Sequence, residues 1–122
     1  MRLVAVFCML SGLAFAENWR GALVDAKCYD AEQRNVSPTN QDFWVNRDRG
    51  LEVWYCAPKK KTKSFEIVDY DGYVYKFDSA GDSKAAQLLQ TAGKKSTYLV
   101  NVTGLISHNT IAVQSIALTP QH

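Results

Sequence analysis

The sequence predicts a mainly β fold of five short strands, with one helix between the third and the fourth. Three observations lead there. Apolar residues alternate with polar ones in several short stretches, one segment has a period near four, and an Asp-Gly pair separates two alternating runs. The first strand is expected over Asn18–Ala26, where Gly21 marks a bend or a close backbone approach. Residues 27–63 are the least regular part and read as a long loop. Pro38 falls in it, and Asn40 is placed to cap a short helix, Gln41–Arg49, that stops at Gly50.

The next segment is the most legible. Ser64–Asp69 and Tyr73–Asp78 flank Tyr70-Asp71-Gly72, a hairpin signal. A two-residue turn would set Glu66 opposite Phe77. A three-residue loop with Gly72 left-handed pairs Phe65 with Phe77 and Ile67 with Tyr75, and it sorts the faces better. That register turns Phe65, Ile67, Tyr75 and Phe77 inward and sets Glu66 across from Lys76 on the outer face as a charge pair.

After Ser79 the period lengthens. Ala85, Ala86, Leu88, Leu89 and Ala92 share a helical stripe, with Asp82 or Ser83 as the start and Gly93 as the stop. Lys95–Thr103 is the fourth strand, with Tyr98, Val100 and Val102 on one face. Gly104–Asn109 connects it to Thr110–Leu118, whose apolar parity shifts and so calls for a bulge near Ser115. This order is that of a small OB-like barrel. The runner-up is an open antiparallel sheet with the helix across one face. With one helix of clear apolar period, bundles and doubly wound sheets are excluded.

The first 16 residues have one basic residue, an apolar run and an Ala14-Phe15-Ala16 ending, the three regions of a signal peptide cleaved before Glu17. Residues 17–122 then form a single domain with a long, disulfide-stapled loop at 27–63. Cleavage leaves 13 basic and 12 acidic residues, a balance that gives no reason to expect nucleic acid or an anionic membrane as partner. No later apolar run could span a membrane. Cys28 and Cys56 remain, and an even pair in an exported chain reads as a disulfide. Their spacing is far from Cys-x-x-Cys, and a zinc site would want more ligands.

Catalytic signatures are missing. The two histidines, His108 and His122, have no nucleophile motif beside them, and no Gly-rich phosphate loop is present. Asp69-x-Asp71-Gly72 resembles the start of a calcium loop without its later ligands, and reads as a hairpin turn. No cofactor and no metal are expected. The surface left for contacts consists of Trp44, Trp54 and Tyr55, the basic tip Lys59, Lys60 and Lys61, and Tyr70 and Tyr73 of the hairpin. Trp44, Trp54 and Tyr55 are also expected to pack over the disulfide.

Gly21-x-x-x-Asp25-x-x-Cys28, the second cysteine, the Phe65-x-Ile67 strand, Gly72–Asp78 and Val100-x-Val102-x-Gly104 together resemble small exported bacterial domains of unknown function with an OB-like barrel. The resemblance covers most of residues 19–118. It implies fold and export and carries no activity. The expected function is a non-enzymatic binding or envelope-associated module, its partner an unspecified ligand or envelope component. The alternative is a thiol-redox or metal protein built on Cys28 and Cys56 with His108.

Overall fold

The computed structural model describes residues 15–34 and 52–120. It is mainly β, with strands β1 (Glu17–Asp25), β2 (Phe65–Asp69), β3 (Val74–Phe77), β4 (Tyr98–Ser107) and β5 (Thr110–Leu118). Three helices accompany them: α1 (Ala26–Arg34), α2 (residues 52–55) and α3 (Ser79–Ala92). The strands form one mixed sheet in the order β1-β2-β3-β5-β4, and β4 pairs back onto β1 so that the sheet closes in a ring. Every pair is antiparallel except the short parallel seam of Lys76 with Thr110 and Phe77 with Ile111.

Inside the ring, alternate side chains make the main core. Leu23, Phe65, Ile67, Phe77, Val100, Val102, Ile111 and Val113 are buried together, and Ala85 of α3 closes one end. Tyr98, Val100 and Val102 share the inward face as their spacing requires. Tyr75 is only half-buried and packs against Trp19, with ring centroids 5.9 Å apart. The hairpin takes the three-residue loop: Ile67 faces Tyr75, Glu66 faces Lys76, and Gly72 has a φ of 91° that a side chain would strain. Asp69 fixes this turn, accepting from the Asp71 and Tyr73 amides at 2.9 Å each.

A register shift in the β4–β5 ladder pairs Thr103 with Ser115 and Gly104 with Val113, leaving Gln114 as the extra residue beside Ser115. Strand β4 runs four residues beyond the expected Thr103. Gly104 therefore lies inside the strand rather than in the connection, which shrinks to His108 and Asn109.

Residues 27–63 are not an irregular loop throughout, and the helix between β3 and β4 is not the only one. Asp25 ends β1 and accepts from the Cys28 amide at 3.1 Å, which starts α1 at once. Tyr29 of α1 is 1% exposed and makes a second core with Val24, Val68 and Cys56 on the outer face of the sheet. Strands β1 and β2 are thus buried on both faces where α1 crosses them. The expected helix Gln41–Arg49 lies outside the described residues.

Helix α3 begins earlier than its apolar stripe suggests. Asp78 is the N-cap, accepting from Gly81 N at 2.8 Å. The same carboxylate accepts from Val113 N at 3.1 Å, and Asp78 N donates to Ile111 O, so this residue stitches the parallel seam. Asp82 instead accepts from Phe65 N at 2.9 Å, its pKa raised by burial against the opposing pull of that amide. Gly93 ends α3 as expected.

Candidate functional site

Cys28 of α1 and Cys56, just after α2, form a disulfide with a Cα–Cα distance of 5.5 Å. The bond ties α1 to the segment leading into β2. Two backbone bonds continue the tie: Asp25 N donates to Cys56 O at 2.8 Å, and Ala26 N to Ser64 O at 3.0 Å. The adjoining aromatics do not cover the sulfurs. Trp54 and Tyr55 are 60% and 64% exposed, and Val53 packs against the Cys56 cluster in their place. One turn of helix cannot send three consecutive side chains to the same side, and Val53 takes the inward one.

What Trp54 and Tyr55 face is a cleft of about 830 Å³. One wall is α2 and residues 57–60, with Lys59 and Lys60. The other is the C-terminal end of α3 and the residues after it, with Leu89, Lys94 and Lys95. No acidic side chain lines it among the described residues. Both lysine segments are pinned. Lys59 N donates to Thr62 Oγ1 at 2.9 Å, Thr62 N returns a bond to Lys59 O, and the Thr62 hydroxyl donates to Asp25 Oδ2 at 2.8 Å. Across the cleft, the Tyr98 hydroxyl donates to Gly93 O at 3.1 Å and accepts from Lys95 N at 3.2 Å.

The fold therefore gathers four of the sequence-singled residues, Trp54, Tyr55, Lys59 and Lys60, and leaves the others elsewhere. Tyr70 and Tyr73 are exposed at the hairpin. Lys61 points into a different cleft, of about 450 Å³, whose lining mixes lysines with Asp25 and Asp30. Trp44 lies outside the described residues. Lys95 escaped sequence reasoning because it read as the start of a strand, and Lys94 because it fell in the connection before it. Their signal was a lysine pair directly after the Gly93 helix stop, where cations suit the helix C-terminus.

Beneath the mixed cleft sits Glu66. It is fully buried, and its carboxyl faces that of Asp30, with which it can share a proton. Burial is the main force that raises its pKa to about 8. The facing Asp30 carboxyl adds to this, Lys76 opposes it, and Asp25 contributes a smaller push upward. The expected outer-face pair with Lys76 is not formed, because α1 covers this face of β2. Lys76 reaches Asp30 at 3.9 Å, both side chains being well exposed, a contact worth well under about 1 kcal/mol.

His108 occupies the β4–β5 turn with a φ of 58°, exposed, its Nδ1 3.4 Å from Ser107 Oγ. Among the described residues no group of three His, Cys, Asp or Glu side chains could hold a metal ion, and no helix is long and apolar enough to cross a membrane. No family model, curated protein or solved structure matches the chain.

Proposed function

We propose that this protein is an exported, non-enzymatic binding module of OB-like architecture that captures an envelope component in the Trp54–Lys60 cleft. The observation that carries the reading is the cleft itself. Two large aromatic side chains stand exposed beside four lysines, in a concavity within the roughly 300–1,000 Å³ usual for ligand sites. Adjoining exposed apolar side chains rimmed by polar residues mark interaction surfaces. The OB-like assignment is supported by the 1-2-3-5-4 ring order and by a helix between strands three and four. Export is supported by the leader-like first 16 residues and by the disulfide, a bond that persists in oxidising compartments.

The thiol-redox alternative has an observation against it. Cys56 is 1% exposed, so its sulfur offers little surface to an attacking thiolate and attack would be confined to the half-buried Cys28.

The test is co-sedimentation of the domain beginning at Glu17 with isolated cell-envelope fragments. Trp54→Ala and the double variant Lys59→Ala/Lys60→Ala should both lose sedimentation while keeping the parent thermal midpoint. Undiminished sedimentation of both variants would remove the cleft as the contact surface.

A further inference from the structure

We infer that the cleft takes an acidic glycan, a chain of pyranose rings carrying carboxylates; this rests on the binding-module reading above. The charge pattern comes first. Lys59 and Lys60 on one wall face Lys94 and Lys95 on the other, and among the described residues the lining between them has no acid to neutralise them. The whole chain has 14 basic and 12 acidic residues, so without these four lysines the remainder is slightly acidic. The cleft thus concentrates positive charge, as a bound polyanion would require.

The second observation is the kind of surface between the charges. Trp54 and Tyr55 present aromatic faces, and Leu89 and the body of Tyr98 line the cleft with them. Rings with an apolar flat side and a polar edge suit such amphipathic platforms, and a pyranose has both. A compact inorganic anion would leave the aromatics unused. A neutral glycan would leave the lysines unpaired.

A third consideration separates a glycan from a nucleic acid, which also combines negative charge with flat rings. Among the described residues all four cations of the lining are lysines, compact point charges, with no arginine fork to grip phosphate in two places. The Cys28–Cys56 bond also belongs to an oxidising compartment, away from the cell's nucleic acid.

The cleft is also prearranged. Thr62 holds the Lys59 turn to Asp25, and the Tyr98 hydroxyl holds the Gly93–Lys95 segment. Ordering these loops is part of folding, so binding need not supply it.

The experiment titrates the disulfide-intact domain from Glu17 with oligogalacturonate at low salt, by calorimetry and by indole NMR, the Trp54 signal being assigned with Trp54→Phe. The expected result is saturable binding that weakens with salt and moves the Trp54 indole. Lys60→Ala/Lys95→Ala should weaken it by roughly five- to tenfold, and Trp54→Ala by about tenfold or more. Carboxyl-reduced oligogalacturonate should bind far more weakly. Equal affinity for the reduced sugar would overturn the inference, as would tighter binding of oligo-dT or of phosphatidylglycerol vesicles. So would a molar mass showing that the cleft is filled by a second copy of the chain. Absence of oligogalacturonate binding, with envelope co-sedimentation still dependent on Trp54, would sink the glycan class alone. Loss of that dependence would sink the site with it.

Discussion

The Asp25 carboxylate holds two segments at once: Oδ1 accepts from the Cys28 amide at 3.1 Å, and Oδ2 accepts from the Thr62 hydroxyl at 2.8 Å, across 37 positions of sequence. One side chain thereby starts α1 and anchors the turn that bears Lys59 and Lys60. Asp25→Ala should cost about 2–3 kcal/mol, the sum of a lost cap and a lost charge-assisted bond. Asp25→Asn, which retains the cap, should cost less. Urea unfolding of both variants checks this, and equal costs would mean that the Thr62 bond is the dominant part.

Glu66 makes stability depend on pH. Its folded pKa lies near 8, against 4.5 for the solvent-exposed group, so over that interval the native state holds a proton that the unfolded chain has released. Stability must then fall as pH rises from about 4.5 to 8, with a slope of up to about 1.4 kcal/mol per unit, and the loss is complete above the folded pKa. Glu66→Gln should flatten this slope and raise the thermal midpoint at pH 8 more than at pH 5. A variant with the parent's slope would show that Glu66 is not the group responsible.

Gly21 faces the backbone of Val68, and a Cβ there would overlap the Val68 carbonyl oxygen. Backbone cannot yield as a flexible side chain can. Gly21→Ala should therefore destabilise by about 2–3 kcal/mol or more, the range of overpacked interior sites. Chemical denaturation measures it, and a cost below about 0.5 kcal/mol would mean that β1 and β2 can separate locally.

The Cys28–Cys56 bond closes a loop of 28 residues, worth about 3–4 kcal/mol through the unfolded chain. Reduction should lower the thermal midpoint markedly. Because the disulfide is the covalent cross-link between α1 and the segment leading into β2, amide exchange should rise first in residues 26–34 and leave β4 and β5 protected. Uniform loss of protection would show that α1 and the ring unfold as one unit.

The ring was legible from period-two alternation because its inward residues are apolar and its turns carry Asp-Gly and Gly signals. The Glu66–Lys76 and Ile67–Tyr75 register and the Gln114–Ser115 bulge followed from parity alone. Helix α1 was not legible: it is short and polar, and among its residues of described burial it commits Ala26 and Tyr29 fully to the interior, too few for a period to show. That omission led directly to the error at Glu66, since a strand whose outer cover is unseen looks solvated there. The cleft was half legible. Trp54, Tyr55, Lys59 and Lys60 are neighbours in sequence, whereas Lys94 and Lys95 join them only through the ring that brings α3 beside α2.

Strand β5 has its own consequence for the newly made chain. It pairs with both β3 and β4, so until residues 110–118 are present two strand edges stand open. Open edges invite pairing with other chains. The chain is therefore most vulnerable to association in the interval before its last strand arrives, and that vulnerability ends in one step when the strand fills the gap.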